Sequence, residues 1–280
     1  MSFSGAAMVA GVAGWPVKHS RSPRIHNYWL RKYGIDGVYV PFAVNPETAV
    51  EAFKSLPALG LRGMNVTVPN KEAAYRAMDE VDPMAERMQA VNTIVVGEDG
   101  RLSGSNTDAF GFLESLKESR PDWSSAAGPA VILGAGGAAR AIVAGLIDAG
   151  VPEIRLANRT AERAEAIRDA FGGPVGCVAW DERAGALDGA SLLVNTTVLG
   201  MDGQAPLEID LSALPAAAVV YDIVYVPLET PLLAAARARG NPAVDGLGML
   251  LHQARPGFRE WFGTDPEVDE ALRNHVLADL

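Results

Sequence analysis

The chain has 280 residues, of which 49% are hydrophobic and 21% are charged, so it fits one large domain or two medium ones with a packed core. Its net charge of −10 makes it a poor general binder of nucleic acid or anionic membranes, and an anionic ligand needs a local group of donors. The single cysteine, Cys177, excludes an intramolecular disulfide and a cysteine-built zinc site. We therefore expect a cytoplasmic protein without a metal centre.

The first half of the sequence alternates short apolar strands with helical segments. Its apolar beginning lacks basic residues, so we expect a buried first strand rather than a signal peptide. No apolar run approaches the roughly 20 residues of a membrane span, and we expect no membrane partner. The turn Glu98-Asp99-Gly100 between two extended runs indicates a hairpin. The pattern predicts strands at 7–14, 38–44 and 61–68, helices at 24–34, 46–56 and 71–79, and a hairpin at 91–106.

A segment rich in Pro, Ser and Gly, residues 119–129, precedes a second series of strands and helices. This series begins with the strand and glycine-rich turn of residues 130–140, and from Asp245 onwards the pattern is helical. Alternating strands and helices are typical of an α/β fold with a mostly parallel sheet, to which the hairpin adds antiparallel pairing. The further predicted segments are strands at 153–160, 174–180, 191–197 and 218–225 and a helix at 161–172.

The glycine-rich turn has the spacing G-x-G-x-x-A, formed by Gly134, Gly136 and Ala139. The first glycine permits a tight turn, the second lets the backbone approach a pyrophosphate, and the small third residue lets the helix pack on the sheet. Free N–H groups at the start of the helix then face the phosphates. A turn without a ligand is the alternative, but the strand before it and the helix after it favour a dinucleotide site. The residues assigned to this site are Gly134, Ala135, Gly136, Gly137 and Ala138.

The strand after the turn ends at Asn158, where an NAD-binding protein usually carries an acidic residue for the ribose hydroxyls. This chain instead offers Arg159 and Thr160, followed one helical turn later by Arg163. Two guanidiniums and a hydroxyl form a phosphate site, and no carboxylate is present to repel a 2′-phosphate. These residues favour NADP over NAD. The alternative is that both arginines are surface charges paired with nearby glutamates.

Polar side chains collect at the predicted strand ends of the first half, where α/β sheets bind their ligands. Almost all are uncharged, which suits a small polyhydroxylated acid. Lys71 and Asp108 are the charged pair, and such a pair can pass a proton to or from a substrate oxygen. Asn70 is a candidate cap for the helix that Lys71 opens. The alternative is an ordinary solvent-facing lysine paired with Glu72 or Glu51. The whole set is Ser20, Ser22, Asn65, Thr67, Lys71, Asn92, Asn106 and Asp108.

Eight motifs follow one another along the chain, namely GWPVKHSRSPRIHN, GMNVTVPNKEAA, AVNTI, NTDAFGF, VILGAGGAARA, ANRTAERA, YDIVY and DGLGMLLHQA. With these motifs the chain closely resembles the shikimate dehydrogenase family over nearly its whole length. The resemblance implies NADP-dependent, reversible reduction of 3-dehydroshikimate to shikimate in aromatic amino acid biosynthesis. We therefore predict two α/β domains with a cleft between them: a substrate domain with a mixed sheet at 1–109 plus 247–280, and a Rossmann-like NADP-binding domain at 110–246.

The resemblance also implies residue roles by position. Ser20 and Ser22 match the serines that bind the substrate carboxylate, and two hydroxyls at a helix start with Pro23 in its first turn form an anion site without a cation. The alternative is that Ser22 is only a helix cap, and the two roles are compatible. Lys71 matches the catalytic acid/base, with Asp108 beside it. The other matching positions are Asn65, Thr67, Asn92, Tyr225 and Gln253 for the substrate and Ile223, Gly246 and Met249 for the cofactor.

Two other classes of protein stay open at this stage. A non-catalytic regulator that binds NADP or shikimate would keep the fold and lose the chemistry, and the intact Lys71 and Asp108 argue against it. A related dehydrogenase would act on quinate or an aminoshikimate-type compound, and serine rather than threonine at position 22 favours shikimate. We expect shikimate or 3-dehydroshikimate as the partner and no nucleic acid. The sequence allows a homodimer without fixing the oligomeric state.

Overall fold

The computed structural model describes residues 3–278, which form two compact units. The first unit comprises residues 3–107 and 251–278, and the second unit comprises residues 108–250. Each unit has its own six-stranded sheet and its own hydrophobic core. No helix in this described part of the chain is long and apolar enough to cross a membrane.

The first unit is built on a mixed sheet. The strands of this sheet are β1 (Met8–Gly14), β2 (Gly37–Ala43), β3 (Gly63–Val66), β4 (Glu80–Val81), β5 (Thr93–Val96) and β6 (Leu102–Ser105). The helices between them are α1 (Ser22–Lys32), α2 (Ala49–Lys54), α3 (Lys71–Ala77) and α4 (Pro83–Met88). The strand order is β2-β1-β3-β5-β6-β4, with β5 antiparallel to β3 and β6 and the other pairs parallel. The beginning of β5 therefore lies at the same edge as the ends of β1, β3 and β6.

Helix α1 forms because its apolar residues recur on one face. Ile25, Trp29 and Leu30 are buried at helical spacing, so this face packs into the core of the first unit. Pro23 occupies the first turn, where a missing N–H costs nothing. The helix ends just before Gly34, whose φ of 64° lies in the left-handed region that favours glycine.

The second unit carries a fully parallel sheet. Its strands are β7 (Ala130–Leu133), β8 (Ile154–Ala157), β9 (Val175–Val178), β10 (Leu192–Asn195), β11 (Val219–Asp222) and β12 (Ala243–Val244). Its helices are α5 (Asp108–Ser119), α6 (Gly137–Asp148), α7 (Ala161–Phe171) and α8 (Pro231–Ala238). The strand order β9-β8-β7-β10-β11-β12 is that of a Rossmann fold, and it reverses direction next to β7. The predicted α/β class, with one mixed and one Rossmann-like sheet, is confirmed.

The C-terminal helices are α9 (Leu247–His252), α10 (Arg255–Phe262) and α11 (Glu270–Leu277). Helix α10 belongs to the first unit, where the indole N–H of Trp261 donates to the carbonyl of Ile94 at 2.9 Å. A Cβ on Gly63 would overlap this indole, so glycine at that position lets α10 approach β3. Packing of this kind explains why the end of the chain folds with its beginning.

Several element predictions need correction. The predicted helix at 46–56 is a 3-10 turn at Pro46–Thr48 followed by the short helix α2. The expected alternation of strands and helices is interrupted between β9 and β10, where the connection contains 3-10 turns at Trp180–Glu182 and Gly185–Leu187 and no α-helix. Helices α4, α5 and α8 were not predicted. Short helices such as α4 and α8 give little periodic signal because they expose few complete turns.

Candidate functional site

The first unit brings polar side chains together at the edge where β3 and β6 end and β5 begins. The phenol of Tyr39 donates to Asn65 Oδ1 at 2.6 Å, and the Asn65 amide donates to Thr93 Oγ1 at 3.1 Å and to the Asn92 carbonyl at 3.2 Å. All four residues are buried. Because buried amides require partners for their polar atoms, these bonds hold Asn65 in one orientation.

Asn92 continues this series of hydrogen bonds. Its Oδ1 accepts from the Thr93 hydroxyl at 3.0 Å and from the backbone N–H of Thr107 at 3.0 Å. The Thr107 hydroxyl lies 3.2 Å from the same oxygen and 2.8 Å from the carbonyl of Gln253. The structure thus connects Asn65 to Gln253 through two threonines that the sequence did not single out. We call the connected residues the first-unit network: Tyr39, Asn65, Asn92, Thr93, Thr107 and Gln253.

Ser20 and Ser22 lie at the beginning of α1, next to this network. The backbone N–H of Ser22 donates to Ser20 Oγ at 3.3 Å, and the Ser22 side chain lies near the Tyr39 phenol. Burial raises the pKa of Tyr39 well above its usual range, so the phenol stays protonated and donates to Asn65. The cap position belongs to Arg21, so the alternative that Ser22 caps the helix is wrong. No acidic residue occupies the first turn, which leaves a helix start suited to an anion.

Helix α1 also fixes the position of Tyr39, a residue that the sequence analysis missed. The Asn27 side chain donates to the Tyr39 carbonyl at 2.7 Å and accepts from the Tyr39 N–H at 3.1 Å. The imidazole of His26 is stacked on the Tyr39 ring, with ring centres 4.0 Å apart. The signal was the His-Asn pair that follows the two serines in the GWPVKHSRSPRIHN motif, although its meaning needed the packing of α1 on β2.

The predicted proton-transfer residues each begin a helix. Lys71 is the first residue of α3 in the first unit and is half-buried, and its carbonyl accepts from the N–H of Val91 at 3.0 Å. Asn70 holds the cap position, but its side chain donates to the Val44 carbonyl at 2.8 Å, so the predicted side-chain cap is wrong. Asp108 is the half-buried first residue of α5 in the second unit. Thr67, the neighbouring predicted substrate residue, directly follows β3.

In the second unit, the glycine-rich turn joins β7 to α6. Gly134 has a φ of 106°, and a Cβ there would lie 2.6 Å from Thr196 Oγ1. Around Gly136 and Gly137 a Cβ would meet nothing within 4 Å, so the space beside the helix start is open. Helix α6 has neither a side-chain cap nor an acidic residue in its first turn. Ala139 is buried in the core, as the packing role of the third small residue requires. The turn therefore fits a pyrophosphate.

The segment after β8 carries the predicted 2′-phosphate residues. The Asn158 amide donates to the Thr160 carbonyl at 2.7 Å, and Arg159, Thr160 and Arg163 are all exposed. Thr160 stands at the cap position of α7 without making a capping bond, so its hydroxyl is not used by the helix. Within residues 3–278 neither guanidinium is paired with a carboxylate. The structure thus gives no support to the alternative of glutamate-paired arginines.

The predicted nicotinamide residues lie together in the second unit. The Gly246 N–H donates to the Val224 carbonyl at 3.2 Å, and a Cβ on Gly246 would overlap the carbonyl of Ile223. Glycine at 246 is therefore required for this close approach. Ile223 and Met249 both pack against the core that includes β7 and α6. Tyr225, half-buried, follows two residues after Ile223.

One polar pair of the second unit was missed. Asn195 and Asp222 end β10 and β11, are fully buried, and are joined by a hydrogen bond of 2.9 Å. Burial raises the pKa of Asp222 to about 6, while its hydrogen bonds oppose this shift. The described residues contain no group of three or more His, Cys, Asp or Glu side chains placed to hold a metal ion.

Known protein families match most of the chain in three separate ranges. Residues 12–94 match the family description "Shikimate dehydrogenase substrate binding domain". Residues 116–198 match "Shikimate / quinate 5-dehydrogenase", and residues 246–273 match "Shikimate 5'-dehydrogenase C-terminal domain". The first range falls in the first unit, and the second contains the glycine-rich turn and the Asn158–Arg163 segment.

Similar proteins and structures agree with these matches. A shikimate dehydrogenase (NADP(+)) of Paramagnetospirillum magneticum is 60% identical, covering 99% of this chain and 100% of that protein. The shikimate 5-dehydrogenase of Thermus thermophilus, solved with NADP(H) and shikimate, is 37% identical with a TM-score of 0.86, covering 98% and 100% of the two chains. A Corynebacterium glutamicum quinate dehydrogenase solved with NAD is 32% identical with a TM-score of 0.88, covering 97% and 99%.

The parallel sheet, the glycine-rich turn and the open start of α6 define a Rossmann-type dinucleotide-binding unit, joined in one chain to a mixed α/β unit. Such a combination is that of a two-unit oxidoreductase. The chain belongs to the shikimate dehydrogenase family. The predicted family and enzyme class are thereby confirmed.

Proposed function

We propose that this chain catalyses the reversible, NADPH-dependent reduction of 3-dehydroshikimate to shikimate in aromatic amino acid biosynthesis. The observation that carries the proposal is the first-unit network. Its uncharged amides and hydroxyls lie beside Ser22 at an electropositive helix start, and a small acid with several hydroxyls needs both features. The cofactor is NADP, and the reaction takes up one proton for each hydride transferred.

The first unit is the substrate-binding unit of this proposal. Ser20 and Ser22, with the N–H groups at the start of α1, bind the substrate carboxylate. Asn65, Thr67, Asn92 and Gln253 bind the ring hydroxyls. Tyr225 belongs to the second unit, and its motif alone assigns it to the substrate. A site that hydrogen-bonds each hydroxyl discriminates strongly against analogues that lack one, because its own buried groups are then left without partners.

The second unit is the cofactor-binding unit. The turn Gly134–Ala138 and the start of α6 hold the pyrophosphate, and Asn158, Arg159, Thr160 and Arg163 hold the ribose and its 2′-phosphate. Ile223, Gly246 and Met249 line the nicotinamide pocket. Arg159 and Arg163 are exposed and make no ion pair within the described residues, so both guanidiniums are available to a phosphate.

When bound, NADPH supplies the hydride that reduces the C3 carbonyl. The residues of the chain bind, orient and transfer the proton. Lys71 donates a proton to the alkoxide oxygen as it forms, and it takes the proton back in the direction of shikimate oxidation. Asp108 keeps the catalytic role that its motif predicts.

We further infer that the chain acts in the cytoplasm on small molecules and not on nucleic acid. Its net charge of −10 opposes binding to a polyanion, and its single cysteine is exposed and free, as a reducing compartment permits. Sedimentation analysis distinguishes a homodimer, which the sequence allows, from a monomer.

The test is to offer the chain a panel of substrates with NADP and to measure the formation of NADPH for each. We expect turnover with shikimate and NADP, and much weaker turnover with quinate. The Ser20→Ala, Ser22→Ala double variant should raise the KM for shikimate at least about tenfold, because a hydrogen bond to a charged group contributes roughly 1.5–3 kcal/mol. Binding of both ligands without turnover would indicate a regulator, and preferred turnover of quinate would indicate the related dehydrogenase.

A further inference from the structure

The carboxylate of Asp222 is a buried charge without a charged partner. It lies at the end of β11 with 0% exposure, and within residues 3–278 no cation pairs with it. Three neutral donors surround it, namely the Asn195 amide at 2.9 Å, the Val224 N–H at 3.0 Å and the Thr230 hydroxyl at 2.8 Å. A buried carboxylate costs free energy even when it is hydrogen-bonded, so its presence calls for a role beyond packing.

Through Asn195, the Asp222 carboxylate is connected to the loop beside the glycine-rich turn. Asn195 also donates to the Leu199 carbonyl at 3.1 Å and accepts from the N–H and hydroxyl of Thr197 at 3.0 and 2.7 Å. All four hydrogen-bonding positions of the Asn195 amide are thus used. The neighbouring Thr196 donates to the Leu133 carbonyl through both its N–H, at 2.8 Å, and its hydroxyl, at 2.7 Å. The loop after β10 is therefore fixed against the start of the turn.

Through Val224, the Asp222 carboxylate is connected to the residues assigned to the nicotinamide pocket. The Val224 N–H donates to the Asp222 carboxylate, and Val224 lies between Ile223 and Tyr225 in the chain. The Ile223 N–H donates to the Asn195 carbonyl at 3.1 Å. Because Gly246 approaches the Ile223 carbonyl so closely, a small shift of this segment would be transmitted to the start of α9.

We propose that Asp222 is a positioning residue for the cofactor, which through Asn195 and Val224 holds the loop beside Gly134 and the Ile223–Tyr225 segment in one fixed arrangement. The inference rests on the proposed function, since it assumes that both segments contact NADP. Thr230, the third donor, serves another purpose: its hydroxyl accepts from the Leu233 N–H at 3.3 Å and caps α8. The hydrogen bonds of Asp222 therefore form two groups. The bonds from Asn195 and Val224, which we call the cofactor arm, order the cofactor site, and the bond from Thr230, which we call the α8 arm, stabilises that helix.

This division allows a matched set of variants. Asp222→Ala removes both arms. Asp222→Asn keeps them, because its amide oxygen can accept from Asn195 and Val224 while its NH₂ donates to Thr230 Oγ1. Thr230→Val removes only the α8 arm. The readouts are the NADPH dissociation constant by fluorescence titration, kcat and KM with shikimate, and the melting temperature.

We expect Asp222→Ala to weaken NADPH binding about tenfold and to lower kcat, because buried donors left without an acceptor let both segments move. Asp222→Asn should restore binding to within about threefold of the wild type. Thr230→Val should lower the melting temperature but keep the wild-type dissociation constant. Wild-type binding in Asp222→Ala, or equally weakened binding in Thr230→Val, would overturn the proposal.

If Asp222→Ala does not fold, Thr197→Val takes its place. This variant deletes the hydroxyl that bonds Asn195 Oδ1 and accepts from the Leu199 N–H at 3.1 Å, while Asp222 keeps all its donors. Weakened NADPH binding supports the proposal, and unchanged binding contradicts it. Failure of the proposed function looks different: the unmodified chain would not bind NADPH, or would bind it and not oxidise shikimate.

Discussion

The imidazole of His26 lies flat on the phenol ring of Tyr39, with ring centres 4.0 Å apart and ring planes 7° apart. Tyr39 in turn hydrogen-bonds Asn65, so a buried ring of α1 supports a residue that we assign to the substrate. His26 is fully buried, and neither of its ring nitrogens makes a well-formed hydrogen bond within the described residues. The pair therefore links the stability of the first unit to the geometry of its site.

Removal of the Tyr39 hydroxyl should affect both properties. Tyr39→Phe keeps the ring on His26 but leaves Asn65 Oδ1 without its donor, at a cost of about 1–3 kcal/mol in the free energy of unfolding. We expect the KM for shikimate to rise up to about tenfold, with a smaller change in kcat. Steady-state kinetics and urea denaturation measure both. Tyr33→Phe, at the residue that directly follows α1, is the control. A wild-type KM in Tyr39→Phe would show that the first-unit network does not contribute to substrate binding.

The stability of the chain should depend on His26 below neutral pH. Burial lowers the pKa of His26 from 6.5 to about 3, and the nearby Asn65 side chain opposes this shift. Between these values the unfolded chain binds a proton that the folded chain does not, so stability is lost as the pH falls, by up to about 1.4 kcal/mol per pH unit. Asp222 acts in the opposite direction, because its raised pKa of about 6 lets the folded chain take up the proton.

A variant isolates the contribution of His26. His26→Phe retains an aromatic ring and does not titrate, while Asp222 is unchanged. Urea denaturation at pH 6, 5 and 4 should show the wild type losing stability relative to the variant as the pH falls. Parallel stability curves for the two proteins would show that His26 is not buried in its neutral form.

Cofactor choice should depend on Arg159 and Arg163. Two guanidiniums on one phosphate should contribute more than about 2 kcal/mol, so we expect NADP to be preferred over NAD by at least about 30-fold in kcat/KM. Replacing both arginines by alanine should remove most of this preference and leave NAD turnover nearly unchanged. Arg168→Ala is the control, since Arg168 lies on the same helix and pairs with Asp169. Equal use of NAD and NADP by the unmodified chain would contradict the assignment.

Proton transfer should depend on Lys71. Loss of a general acid/base typically costs about 10²–10⁴ in rate, so Lys71→Ala should lose most of its kcat while the substrate dissociation constant stays within about tenfold. Lys54→Ala, at an exposed position on α2, controls for the loss of a positive charge. A near-wild-type kcat in Lys71→Ala would show that another group transfers the proton.

Local sequence patterns predicted the parts of the fold that local chemistry determines. The glycine spacing at Gly134 and Gly136 located the turn between β7 and α6, because a tight turn and an uncapped helix start leave a recognisable pattern. The hairpin of β5 and β6 followed from its turn residues. The family motifs supplied the candidate site residues, and the structure places several of them in one network.

Contacts between distant residues could not be predicted in this way. Tyr39 was only part of an apolar strand until α1 packed on β2 and brought His26 and Asn27 to it. Asn195 and Asp222 are 27 residues apart, and only the parallel pairing of β10 with β11 places their side chains together. Neither pair has a spacing that a local pattern can detect.

The most direct test of the account is to incubate the purified chain with 3-dehydroshikimate and NADPH and to identify both products. We predict that one shikimate forms for each NADPH oxidised, that the reaction reverses when shikimate and NADP are supplied, and that Lys71→Ala fails in both directions. Oxidation of NADPH without formation of shikimate, or no oxidation by a folded chain that binds both compounds, would contradict the proposed function.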